Sequence, residues 1–137
     1  MAQIDSVLET VLYVTDLPRA EAFYAGVLSL PVIFSDDRMR AFDVGGRGVL
    51  LLFLQGGTVR DVQTPFGTIP AHDARGQQHI AFGIAKDAVE DWRARLEARG
   101  IAIESRVDWP RGGVSLYFRD PDGHALELAT PGLWPSY

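Results

Sequence analysis

Glu127 stands between Leu126 and Leu128 in the apolar run Ala125–Ala129. A carboxylate in such a strand is costly to bury alone, so Glu127 is expected to meet a partner. His79 opens the run His79–Ile84, where His79, Ala81 and Gly83 alternate with Ile80, Phe82 and Ile84. Strand side chains alternate between faces, so the apolar three share one face and His79 takes the other. Small residues flank both His79 and Glu127, which leaves room for something other than protein. Glu9 shares a face with Val11 and Tyr13 by the same alternation. His72, between Pro70 and Gly76, has the chemistry of an acid or base near neutral pH. Tyr117 lies ten residues before Glu127, but a turn intervenes and alternation leaves its face open. Trp109 and Arg111 belong to a Trp-Pro-Arg-Gly-Gly loop whose guanidinium could clamp a carboxylate or phosphate. His124 follows a turn glycine and is expected at the surface. The chain has no cysteine, which excludes a thiolate nucleophile, a Cys-bound metal and a disulfide framework. No Gly-x-Gly-x-x-Gly or Walker pattern supports nucleotide binding.

These residues need strands to hold them. Val7–Val14 is rich in aliphatic and β-branched residues and is expected as the first. Asp16-Leu17-Pro18 then has the chemistry of a helix start. Ala20, Phe23, Tyr24, Val27 and Leu28 follow with helical spacing, and Pro31 closes the segment. Val32–Phe34, Met39–Val44 and Gly48–Leu54 are further strand candidates. The second half repeats this order. His79–Ile84 is a strand. Asp87 to Glu90 has the spacing of a capping box, and Val89, Trp92 and Leu96 mark a buried helix face that ends at Gly100. Ile101–Glu104, Val114–Arg119 and Ala125–Ala129 complete the set, with an Asp120-Pro121-Asp122-Gly123 turn between the last two. The pattern is β-α-β-β-β twice, Glu9 corresponding to His79 about 70 residues on. The fold class is therefore α+β. The expected layout is one domain over 1–137: module one about 5–55, a polar linker about 56–78, module two about 79–130 and a tail 131–137. Two such half-sheets are expected to pair and leave a concave ligand site.

Apolar residues make up 47% and charged residues 23%, an ordinary globular balance for one core. The net charge of −5 gives no electrostatic footprint for nucleic acid. No apolar run approaches the ~20 residues of a membrane span, and no basic-then-apolar leader opens the chain, so a cytoplasmic protein is expected.

Three segments together are recognisable. They are Glu9-Thr-Val-Leu-Tyr-Val-Thr-Asp16-Leu-Pro, Ala22-Phe23-Tyr24-Ala-Gly-Val-Leu28 and Tyr117-Phe-Arg-Asp-Pro-Asp-Gly-His124-Ala-Leu-Glu127-Leu. In these the chain resembles the vicinal oxygen chelate superfamily, which includes glyoxalase I, extradiol dioxygenases, fosfomycin resistance enzymes and bleomycin-binding proteins. The resemblance implies paired βαβββ modules around a cupped site, one divalent metal, and a homodimer. It implies Glu9, His79 and Glu127 as metal ligands, Glu9 standing where the superfamily usually has His or Gln. Such a set suits a Mn, Fe, Co, Ni or Zn ion. Glyoxalase I has a further Glu on the last strand of module one. Counting four residues past Gly48 gives Leu52, so that carboxylate is absent here. Tyr117 corresponds to a substrate-contacting Tyr of fosfomycin-type enzymes, and His72 is a candidate acid or base. The implied function is isomerase, lyase or transferase chemistry on a small oxygen-chelating substrate. The alternatives are a metal-free binder of the bleomycin-resistance type and an extradiol-type dioxygenase. The aromatic tail Leu133–Tyr137 is expected to pack on the body or on a partner.

Overall fold

The computed structural model describes all 137 residues, Met1–Tyr137, in two compact units, Met1–Gly76 and Gln77–Tyr137. The first contains β1 (Glu9–Val14), α1 (Leu17–Gly26), β2 (Val32–Ser35), β3 (Met39–Val44) and β4 (Gly48–Leu54). Its sheet runs β1-β4-β3-β2, with β1 parallel to β4 and the other pairs antiparallel. A parallel pair cannot be joined by a tight turn, and α1 begins the crossover that it needs. Asp16 caps α1 as expected, its carboxylate accepting the Arg19 N–H at 2.9 Å. Ala20, Phe23, Tyr24, Val27 and Leu28 are all buried, and with Phe42, Leu50 and Leu52 they form this unit's core.

The segment expected as a linker carries structure of its own. Here β5 (Val62–Thr64) and β6 (Gly67–Ile69) form a hairpin. Thr64 builds the turn: its hydroxyl donates to the Gly67 carbonyl at 2.7 Å and accepts the Phe66 N–H at 3.1 Å.

The second unit contains β7 (His79–Gly83), a 3₁₀ turn at Lys86–Ala88, α2 (Val89–Ala98), β8 (Ser105–Asp108), β9 (Val114–Arg119) and β10 (Ala125–Ala129). Its sheet runs β7-β10-β9-β8, with β7 parallel to β10, and so repeats the first topology. Phe82, Leu96, Leu116, Phe118, Leu126 and Leu128 are its buried core. Two local expectations are corrected. Asp87 does not cap α2, because it lies inside the 3₁₀ turn, and the residue before α2, Ala88, is helical rather than extended. Ile101–Glu104 is not a strand. Gly100 turns left-handed at φ +70° and the Ile101 N–H returns to the Leu96 carbonyl at 2.9 Å, so Ile101 closes the helix; the Glu104 N–H reaches the Tyr117 carbonyl at 2.8 Å, and β8 starts at Ser105. The tail packs on its own unit: the Tyr137 hydroxyl donates to the Ile84 carbonyl at 3.1 Å. A Cβ on Gly83 would stand 2.6 Å from that hydroxyl, so a larger residue there would displace the Tyr137 side chain. No helix is long and apolar enough to cross a membrane.

Candidate functional site

In the second unit, register decides which side chains meet. His79 pairs with Ala125, Ala81 with Glu127, and Gly83 with Ala129. On the other side of β10, Glu127 pairs with Tyr117 and Ala129 with Ser115. His79, Glu127, Tyr117 and Ser115 therefore share one face, opposite the core leucines, which settles the face of Tyr117.

His79 Nδ1 lies 2.8 Å from the Ala125 carbonyl. A carbonyl only accepts, so Nδ1 carries the hydrogen and Nε2 of the neutral ring keeps its lone pair. That Nε2 stands 3.4 Å from Glu127 Oε1. Glu127 is buried, and its other oxygen accepts the Ser115 hydroxyl at 2.5 Å. Ser115 in turn accepts the Trp109 indole N–H at 2.8 Å. The Tyr117 ring stacks with His79 at 6.4 Å between centroids. Burial first, and then the charge of Glu127, raise the Tyr117 phenol above its usual pKa. Tyr117 is therefore a neutral hydrogen-bond donor at pH 7.

Ser115 and the inward role of Trp109 escaped the sequence reading. The loop that carries Trp109 is set by backbone contact. The Trp109 N–H donates to Gly113 at 2.8 Å, and a Cβ on Gly113 would lie 2.6 Å from Gly132. The available signal was the alternation of Ser115 and Tyr117 with Leu116 and Phe118 along β9. Arg111 of the same loop is exposed and outside this group. His124 is a second correction. It is 2% exposed, its Nδ1 accepts the Gln78 N–H at 2.9 Å, and its own N–H donates to Asp120 at 2.8 Å. It staples the turn before β10 to the segment entering β7.

In the first unit, Glu9, Val11 and Tyr13 pair with Val49, Leu51 and Phe53. That face floors a cavity of about 240 Å³, with Glu9, Arg38, Arg60 and His72 also on its lining. The Tyr13 hydroxyl lies 2.7 Å from Thr58 Oγ1 and 2.5 Å from His72 Nδ1. Thr58 donates its single hydrogen to the His72 carbonyl. Tyr13 must then donate to Thr58, and His72 Nδ1 must donate to Tyr13. The basic nitrogen of a neutral His72 is consequently Nε2. Thr58, buried and bonded to the Tyr13 hydroxyl and the His72 carbonyl, was not singled out from sequence.

The two registers also correct the count that led to Leu52. Glu9 pairs with Val49 as His79 pairs with Ala125, so Leu51, two residues on, matches Glu127. Leu52 is fully buried on the opposite face, and neither position offers a carboxylate.

Two ligands about 2.1 Å from one tetrahedral cation stand about 3.4 Å apart. The separation of His79 Nε2 from Glu127 Oε1 fits this, at 3.4 Å. The hydrogen-bonded Nδ1 and the Ser115-held Glu127 are the usual supports of such ligands. Neither unit gathers three or more His, Asp or Glu side chains into a group able to hold a metal alone.

Residues 3–128 match the Glyoxalase/Bleomycin resistance protein/Dioxygenase superfamily. The chain is 30% identical over 129 residues to the metallothiol transferase FosB of Staphylococcus saprophyticus, covering 93% of this chain and 78% of that one. A lactoylglutathione lyase structure from Agrobacterium tumefaciens superimposes with a TM-score of 0.88 at 37% identity, covering 98% of this chain and 99% of that one. The fosfomycin resistance protein FosX of Listeria monocytogenes gives a TM-score of 0.70 at 26% identity, covering 96% of this chain and 94% of that one.

Proposed function

Since the chain belongs to the Glyoxalase/Bleomycin resistance protein/Dioxygenase superfamily, we propose that it is a divalent-metal-dependent enzyme acting on a small substrate with two neighbouring oxygens. The observation that carries this reading is the His79–Glu127 pair, with Nε2 and Oε1 3.4 Å apart and each side chain held from behind. Glu9, His79 and Glu127 are the proposed ligands of one cation, of Mn, Fe, Co, Ni or Zn. Glu9 belongs to the first unit and His79 and Glu127 to the second, and the assembly proposed is a homodimer. When bound, the cation supplies Lewis acidity toward the substrate oxygens.

The chain's own groups do the rest. The Ala125 carbonyl holds the proton on His79 Nδ1 and frees Nε2 to ligate. Ser115, backed by Trp109, fixes the rotamer of Glu127. Tyr117 donates a hydrogen bond to a substrate oxygen on which charge develops. His72 Nε2 accepts a proton, its ring held by Tyr13 and its backbone carbonyl by Thr58. The missing carboxylate at Leu51 weighs against the reaction of glyoxalase I. Two carboxylates and one imidazole also differ from the two-His set of Fe(II) oxygenases, which weighs against extradiol cleavage. Thiol transfer, the activity in the name of the FosB relative, is the reaction class best supported.

A second reading, a metal-free small-molecule binder, draws on the largely apolar floor of the module-one cavity. Elemental analysis after chelator-free purification, followed by titration with Mn²⁺ and Zn²⁺, separates the two. Stoichiometric uptake that His79→Ala abolishes is the expected result, and no uptake by the wild type promotes the binder.

A further inference from the structure

Two guanidinium groups line the module-one cavity from separate elements. Arg38 precedes β3, and Arg60 lies in the loop before β5. Neither has a carboxylate within ion-pair distance or a side-chain hydrogen bond. Elsewhere Arg40, Arg93 and Arg119 are paired with Glu21, Glu90 and Glu104. Arg47, Arg99 and Arg111 are also unpaired, but they lie on the exposed surface, whereas Arg38 and Arg60 line one cavity together. Arg38 sits 5.8 Å from the centre of the Phe53 ring, at the cavity floor. A cation over a ring face keeps its N–H donors, because the ring face offers no strong hydrogen-bond acceptor. Glu9 is the one carboxylate on the lining. The floor of Val11, Leu51 and Phe53 suits an apolar body.

We propose that this cavity binds a small molecule with an apolar body and an oxyanion head, carboxylate or phosphonate, the charge being recognised by Arg38 and Arg60. Arginine matches both heads because its donors form a fork. The proposal rests on the metalloenzyme reading only for naming this molecule as the substrate.

The test is calorimetric titration of the full chain with benzoate, phenylphosphonate and the neutral benzamide. It is run on chelator-treated and on Zn²⁺-loaded protein. Both anions are expected to bind at least about tenfold more tightly than benzamide, and the tighter of the two names the head group. Arg38→Met and Arg60→Met each lower anion affinity about tenfold and leave benzamide binding unchanged. Added salt weakens the anions alone. If Arg38→Met loses its fold by amide NMR, Arg60→Met carries the test, because Arg60 is exposed. Benzamide binding as tightly as benzoate, or Arg60→Met retaining full anion affinity, overturns the proposal. Anion selectivity without metal uptake overturns the enzyme reading alone. Metal uptake without anion selectivity overturns this proposal alone.

Discussion

Modules one and two fold by the same plan and furnish the equivalent sheet face in opposite ways. Matching their registers sets Glu9 with His79, Leu51 with Glu127, Phe53 with Ala129, Ala41 with Tyr117 and Met39 with Ser115. Where module one has bulk on its central strand, module two has a carboxylate and a methyl group. Where module one has Ala41 and Met39 on the next strand, module two has hydroxyls. The helix-facing positions stay apolar in both: Leu50 and Leu52 correspond to Leu126 and Leu128, all buried. The scaffold is thus maintained by one face of each sheet and the chemistry is set by the other. Module two has an imidazole and a carboxylate 3.4 Å apart. Module one has an apolar floor with Glu9, Arg38 and Arg60 on the same lining.

The comparison breaks most readily at Glu127. Glu127→Leu gives module two the side chain of module one, and it should lower metal affinity by more than ~100-fold, since even outer supports of a ligand are worth 10–100-fold. The reciprocal change, Leu51→Glu, should not restore binding, because Ala41 opposite offers no hydroxyl to orient the new carboxylate. Metal titration of the two variants and their combination decides this. Restoration by Leu51→Glu would show the modules to be interchangeable.

Ser115 and Trp109 come next. Ser115→Ala leaves one oxygen of a buried carboxylate without its donor, and Trp109→Phe frees the hydroxyl that holds it. Each should cost about 10–100-fold in metal affinity, with Ser115→Ala the larger. The same titration, alongside thermal melting to confirm folding, checks the order. Equal affinity to wild type would mean that Glu127 is not oriented from behind.

How far this division was visible beforehand depends on whether a feature is local. Met39–Val44, Gly48–Leu54, Val114–Arg119 and Ala125–Ala129 were expected with the bounds they have, because alternation and turn residues are written along the chain. The faces of His79 and Glu127 followed from the same alternation. The hairpin at Val62–Ile69 was missed because each of its strands is only three residues long. Leu52 was chosen over Leu51 because counting from the turn glycine assumed equal turns. Gly123 stands two residues before the strand position paired to His79, whereas Gly48 stands one before that paired to Glu9. Ser115, Thr58 and His124 acquire their roles from partners 12, 14 and 46 residues away, and no local pattern announces such contacts.

A smaller effect is expected in module one at Thr58. Thr58→Val keeps the shape and removes both the acceptor of Tyr13 and the donor to His72. Leaving the buried Tyr13 hydroxyl without that partner should cost about 1–2 kcal/mol in denaturant unfolding. Metal uptake by His79 and Glu127 should change little. Imidazole ¹⁵N NMR should show His72 losing its single tautomer while His79 keeps its own. A change at His79 instead would refute the independence of the two hydrogen-bond networks.

The smallest expected effect sharpens the comparison through the proton on Tyr117. Burial and the Glu127 charge raise this phenol in the folded protein, and the unfolded chain has neither influence. An unfolded tyrosine ionises near pH ~10. Above that pH the native chain still binds a proton that the unfolded chain has released, so stability falls as pH rises. The contribution is complete below the ordinary phenol range and lost as pH climbs through the raised value. Urea unfolding of metal-free protein, stepped through the alkaline range, should show wild type losing stability faster than Tyr117→Phe. The Tyr117→Phe curve running parallel to wild type instead would place Tyr117 outside the field of Glu127. The face of module two would then have lost the charged neighbour that sets it apart from Ala41 and Leu51 in module one.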